Sequence, residues 1–192
     1  MKLILGSSST RRAEILTNAG VPFSVLSSAV DETPFPHEEP AALVLRLANA
    51  KAELAAARAV GPAIVIGADT TVVCDGKILN KPQSIEEARQ MLQMLSGRAH
   101  SVLTGVALIR LPDNHRRQFT ESTLVQFRQI SEDELDSYLS TNESFDKAGA
   151  YAIQGHAGRF IPRIEGCYFN VVGLPLSHLI SELHSLGWQD LP

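Results

Sequence analysis

The sequence predicts an α/β protein with a mixed, partly antiparallel sheet flanked by helices. Three observations predict it. The chain opens strand–helix–strand, the order that favours parallel neighbours. Asp75-Gly76, between apolar β-branched runs, is a tight hairpin signal. Arg116 to Arg128 alternates through Phe119, Glu121, Thr123, Val125 and Phe127, the period of a strand with one face buried. Strand order does not follow from these signals.

Taken in order, Lys2 to Leu5 is a short strand and Gly6-Ser7-Ser8-Ser9-Thr10 a hydroxyl-rich turn. Arg11 to Ala19 is a helix stopped by Gly20. Val21 to Leu26 is a second strand, and Val30 through Pro40 a proline-rich acidic loop. Pro40 opens a long helix, placed where its missing N–H costs nothing. Its apolar stripe is Leu43, Leu47, Ala50 and Leu54, with Val44 and Ala48 beside it and Lys51 bordering the buried face. Ala63 to Ala68 is a central strand with Asp69 at its end, followed by the hairpin return Ile78-Leu79-Asn80 and by Lys81-Pro82. Ser84-Ile85-Glu86-Glu87 and Ser131-Glu132-Asp133-Glu134 are capping boxes opening two helices. His100 to Leu111 is a strand, Phe160 to Gly173 a last hairpin, and Pro175 opens a C-terminal amphipathic helix ending at Gly187.

With 192 residues the chain makes one domain or two small lobes and is long enough for a real core. Its 44% hydrophobic and 20% charged residues match a globular chain, not a disordered one. A net charge of −4 and the absence of a basic stripe argue against nucleic acid and an anionic membrane as partners. Cys74 and Cys167 match no disulfide scaffold or zinc spacing, and no run approaches membrane-spanning length. A cytoplasmic protein is the expectation. The six histidines include no HExxH motif, and no protease triad is supported.

Polar residues that interrupt apolar structure carry the chemistry. A serine-rich loop running into a helix with Arg11 and Arg12 has the ingredients of an anion site: loop N–H groups, hydroxyls and bidentate donors. Arginine in a first helical turn opposes the helix dipole, so its presence calls for another reason. Asp69 is either a turn residue or a site carboxylate, because burying an unpaired charge costs several kcal/mol. Lys51 either snorkels or points a cation into a cleft. Gln154 carries both the donor and the acceptor needed to read a base edge, or is a surface residue. With Ser8, Glu32 and Lys81 these make four cations and two acids. The set suits a metal-assisted reaction on a polyphosphate, with Mg²⁺ or Mn²⁺ held by the acids.

The chain resembles the Maf family, the septum-formation-inhibitor-like nucleotide pyrophosphatases. The resemblance is carried over nearly the whole length by Leu5-Gly6-Ser7-Ser8-Ser9-Thr10-Arg11-Arg12, Val30-Asp31-Glu32-Thr33, Ala50-Lys51-Ala52, Gly67-Ala68-Asp69-Thr70, Asn80-Lys81-Pro82, Leu95-Ser96-Gly97, the run from Asp146 to Gly155, and Val172-Gly173-Leu174-Pro175. The family usually has proline before the arginine pair; here Thr10 stands there and is expected to cap the helix. The resemblance implies an elongated sheet around a deep cleft, similar to inosine triphosphate pyrophosphatases, and a homodimer. It implies hydrolysis of a nucleoside triphosphate, dTTP or UTP, to the monophosphate and pyrophosphate. Asp69 would be the catalytic proton acceptor, and Glu32 with Asp69 would hold the metal. Ser8, Arg12, Lys51 and Lys81 would bind the triphosphate, while Arg11, Thr70 and Gln154 would select the base. A non-catalytic nucleotide-binding regulator of septum formation is the alternative, distinguished by turnover.

Overall fold

The computed structural model describes residues 1–27 and 29–189. Seven strands and six α-helices are assigned among them. They follow the order β1 (Lys2–Leu5), α1 (Thr10–Asn18), β2 (Ser24–Val25), α2 (Pro40–Ala56), β3 (Ala63–Cys74), β4 (Lys77–Leu79), α3 (Ile85–Leu95), β5 (Ala99–Leu111), β6 (His115–Gln126), α4 (Glu132–Leu139), β7 (Arg163–Glu165), α5 (Tyr168–Val172) and α6 (Leu176–Ser185). Strand order is β2-β1-β3-β5-β6-β7, with β4 paired to β3. β1 runs parallel to β2 and β3, while β3–β4 and β6–β7 are antiparallel. The mixed, partly antiparallel α/β class expected from the sequence is therefore the one observed.

The chain divides into two compact units. The first comprises Met1–Asp69, Thr104–Glu121 and Gly173–Pro192; the second comprises Thr70–Leu103 and Ser122–Val172. The first is built on parallel pairing in which Lys2 to Leu5 face Ala63 to Ile66 one for one. Parallel strands are covered on both faces, which is why Ile64, Val65 and Ile66 are all fully buried. α2 lies against these strands at unusually close range. A Cβ added to Gly67 would lie 2.1 Å from the Ala48 carbonyl oxygen, and one added to Gly105 would lie 2.5 Å from that of Val44. Only glycine beneath the helix allows that approach. The second unit has its own core, where Leu92 and Leu95 of α3 pack with Phe127, Leu135, Tyr138 and Phe160.

Several local expectations are met. Asp75 and Gly76 both take positive φ, as a two-residue hairpin demands. Ser131 and Glu134 form a complete capping box on α4. Others are corrected, each for a physical reason. The helix following the serine loop is capped by Ser9, whose Oγ accepts from the Arg12 N–H at 3.5 Å; Thr10 is its first helical residue. The second strand shrinks to Ser24–Val25, with Pro22 ahead of it lacking a ladder donor. The buried face of α2 is Leu43, Val44, Leu47, Ala48, Lys51, Ala52 and Ala55, while Leu54 is exposed. Close approach selects alanines over the larger leucine, so the face is rotated from the one hydrophobicity alone indicates.

β3 does not stop at Ala68 but continues through Asp69 to Cys74. At Ser84 only half of a capping box forms. Ser84 Oγ accepts from the Glu87 N–H, but Glu87 turns its carboxylate to the Gln83 N–H at 2.7 Å. The stretch from Phe160 to Gly173 is not a hairpin. β7 pairs with β6, and the chain then turns into α5, where the Asn170 side chain donates to the Val102 carbonyl at 2.9 Å and to Thr123 Oγ1 at 3.0 Å. Those buried side-chain bonds offer the backbone an alternative to a second strand.

Candidate active site

In the first unit, β3 and α2 place an acid and a base face to face. Asp69 sits mid-strand with 8% of its surface exposed. Lys51 lies within the buried face of α2 and is 7% exposed. The Lys51 ammonium donates to Asp69 Oδ1 at 2.6 Å and to Glu32 Oε1 at 2.6 Å. An ammonium with two charge-assisted bonds is not snorkelling, and a carboxylate inside a strand is not closing a turn. Glu32 reaches the cluster from the acidic loop and remains partly exposed, at 43% of its side chain. Charges taken from water survive only when paired, and here one cation answers two anions.

Arg12 completes the cluster. Its Nε donates to the Gly173 carbonyl at 2.8 Å and its Nη1 to Ser7 Oγ at 3.1 Å. The same Ser7 Oγ accepts from the Ser9 N–H at 3.2 Å. Burial pulls the Arg12 guanidinium below its ordinary pKa, the charge on Asp69 pushes it back up, and Arg11 and Glu32 follow with opposite signs. Arg12 thus feels both carboxylates. Its cost in the first helical turn is offset by this field and by its fixed acceptors. Arg11 is half-buried beside it, and Ser8 is exposed on the same loop.

The remaining sequence-predicted residues belong to the second unit. Thr70 follows Asp69 along β3 and is half-buried; Lys81 and Gln154 are exposed. Within that unit the Gly149 N–H donates to the Asn80 carbonyl at 3.2 Å, tying the Lys81 turn to the segment that carries Gln154. The segment is pinned from below. Tyr138 donates its hydroxyl to the Ala150 carbonyl at 3.0 Å, and the Tyr151 hydroxyl lies 2.7 Å from His100 Nε2. Ala150 holds positive φ, a conformation that persists only where surroundings over-determine it.

Sequence reasoning missed Ser7, which is the buried hydroxyl of the serine loop, and the Gly173 carbonyl. No local signal separates three consecutive serines; only the path of Arg12 does. Among the described residues no group of three or more His, Cys, Asp or Glu side chains is placed to hold a metal ion. Two carboxylates gathered on one cation are nevertheless a fitting donor set for magnesium or manganese, which takes one or two carboxylates and completes its shell with substrate phosphate and water. Asp69 and Glu32 would be the residues that hold it.

The family model described as Maf-like protein matches residues 2–186. The chain belongs to the Maf family. Among curated relatives, a protein of Moorella thermoacetica is 48% identical over 175 residues, covering 91% of this chain and 90% of its own. One of Geobacillus sp. is 49% identical over 187 residues, covering 97% and 99%. One of Carboxydothermus hydrogenoformans is 45% identical over 188 residues, covering 98% and 100%. All three are named dTTP/UTP pyrophosphatase. Among solved structures, the Staphylococcus aureus Ham1 protein overlaps 66% of this chain and 72% of its own, at 14% identity and a TM-score of 0.42. No helix among the described residues is long and apolar enough to cross a membrane.

Proposed function

We propose that this Maf protein is a nucleoside triphosphate pyrophosphatase acting on dTTP and UTP, releasing the nucleoside monophosphate and pyrophosphate. The observation that carries the chemistry is the Lys51-bridged pair of carboxylates, Asp69 and Glu32, in the field of the buried Arg12. The nucleotide follows from the names of relatives that match this chain nearly end to end.

Water attacks the α-phosphorus while the bond from that phosphorus to the α–β bridging oxygen breaks. Asp69 accepts the proton of the attacking water, a role that requires the carboxylate form. Lys51 orients the Asp69 carboxylate through its 2.6 Å bond and supplies a cation for the triphosphate. Arg12 and Arg11 supply guanidinium donors suited to phosphate oxygens, with Arg12 pre-aimed by Ser7 and Gly173. Ser8 and Lys81 add a hydroxyl and a further cation for the triphosphate. Gln154 offers a paired donor and acceptor, and with Thr70 and Arg11 it discriminates the base. A magnesium or manganese ion held by Asp69 and Glu32 would supply Lewis-acid neutralisation of phosphate charge.

A panel of nucleoside triphosphates incubated with Mg²⁺ or Mn²⁺ and scored for pyrophosphate tests the reading. Preferential release from dTTP and UTP is expected. No turnover of any nucleotide would instead favour a binding regulator.

A further inference from the structure

The acidic loop that carries Glu32 contains no helix or strand from residue 29 to residue 39, yet it delivers a carboxylate to within 2.6 Å of Lys51. A loop of that length has many conformations to lose on ordering. One side chain of α2, Arg46, meets it at several points. Arg46 Nε donates to Glu38 Oε1 at 2.7 Å, and its Nη2 donates to Glu38 Oε2 at 2.8 Å and to the Thr33 carbonyl at 3.1 Å. The guanidinium carbon lies 4.0 Å from the centre of the Phe35 ring. Glu38 Oε2 also accepts the Phe35 N–H at 3.0 Å, and Asp31 Oδ1 accepts the Thr33 N–H at 2.9 Å. One planar cation therefore meets the loop at three points: a carboxylate by a fork, a backbone carbonyl next to Glu32, and an aromatic face. Only arginine combines those contacts. Lys51 lies five residues farther along the same helix, so α2 grips the loop on both sides of the Glu32–Thr33 peptide.

The geometry points to Arg46 as a positioning residue for Glu32: with Glu38 and Phe35 it forms a clasp that holds the Glu32 carboxylate at the reaction centre. Arg46 itself touches neither Asp69 nor Lys51 through any of these bonds. The assignment rests on the role given to Glu32 above. Without the clasp, Glu32 would still be attached but would spend most of its time elsewhere, so the loss should fall on turnover. A misplacement of about 1 Å can cost on the order of a hundredfold in rate.

The test compares wild type, Arg46→Met, Glu32→Gln and the double variant. Steady-state kinetics with dTTP are measured for each, together with hydrogen exchange of the residue 29–39 amides without nucleotide. For Arg46→Met, kcat should fall about tenfold or more, with KM within threefold and faster exchange confined to the loop. In the Glu32→Gln background the same change should cost less than twofold. Arg46→Met with kcat within twofold of wild type, or an equal loss in both backgrounds, overturns the clasp while leaving Glu32 in place. Glu32→Gln at the wild-type rate overturns the role of Glu32 itself, and the positioning role with it. Should Arg46→Met fail to fold, Glu38→Gln opens the same clasp from the loop side and carries the same expectations.

Discussion

Asp69 shows how much a neighbour decides about a residue. A carboxylate in a buried strand costs several kcal/mol if left alone, and Lys51 at 2.6 Å removes most of that cost. The arrangement pairs the Asp69 carboxylate with a cation inside the strand. Asp69→Asn keeps the shape and removes the charge. Pyrophosphate release from dTTP should then fall by about a hundredfold or more in a protein that still folds. Turnover near wild type by a folded Asn variant would sink the assignment. Arginine in the first turn of a helix was legible as an anomaly, and Asp69 as a polar interruption of an apolar run. Which serine supports Arg12 was not legible, because Ser7, Ser8 and Ser9 are locally equivalent. The partner is decided by residue 173, far away in sequence, whose carbonyl fixes the other edge of the guanidinium.

At the scale of elements, α2 against β3 and β5 positions the first unit's site. Gly67 and Gly105 let the helix backbone come close enough to carry Lys51 to Asp69. Gly67→Ala places a methyl group 2.1 Å from the Ala48 carbonyl. Helix or strand must shift, and the expected cost is roughly 3 kcal/mol, at the upper end of overpacking penalties. Urea unfolding measures it, and because the shift moves Lys51, turnover should fall in parallel. Ser131→Ala is a useful contrast. It removes the capping box of α4, remote in sequence from every proposed reactive residue, and should cost about 1 kcal/mol with kcat unchanged. A Gly67→Ala protein as stable as wild type would show that the helix is not seated as described. Helix and strand identities were mostly readable, because periodicity, caps and the Asp75-Gly76 turn are local signals. The face of α2 is not legible from its apolar stripe, because close backbone approach, not apolarity, chooses it. The stretch from Phe160 to Gly173 departs from a hairpin because Asn170 and Thr123, 47 residues apart, tie its second half into a helix.

For the molecule as a whole, stability should depend on pH through the core of the second unit. His100 is buried between Phe127 and Tyr151, with ring centroids 5.0 and 5.4 Å away. Burial holds its pKa down to about 4, below the ordinary 6.5. The unfolded chain therefore binds the proton more readily, so stability is full above pH 6.5 and is lost as pH falls toward 4. Between pH 7.5 and pH 5 the loss should be about 2 kcal/mol. Guanidinium unfolding at the two pH values checks it, and His100→Gln should flatten the dependence over that window. An unchanged slope in the variant would remove His100 as its source. Glu38 and Glu134, both held at about 2 by arginine partners, act with the same sign but lower on the scale, below their ordinary 4.5. Because Tyr151 bonds His100 in the segment that presents Gln154, the same acid loss should loosen that segment.

Composition and local pattern were enough for the α/β class, for most element boundaries, and for a set of cations and acids that speaks of polyphosphate. Each of those depends on residues a few positions apart, where sterics, capping and periodicity act directly. The resemblance carried by the motifs then pointed to the Maf family, to which the chain belongs. Other features needed the folded chain. Asp69 lies within β3 rather than at its end, Lys51 lies inside the buried face of α2, and Ser7 rather than a neighbour anchors Arg12. Arg46 emerged as the clasp on the Glu32 loop. Each of these is set by the distance between segments far apart in sequence. Such distances depend on how closely backbones can pack and on where a buried charge finds its partner, and neither is written into any short stretch of residues.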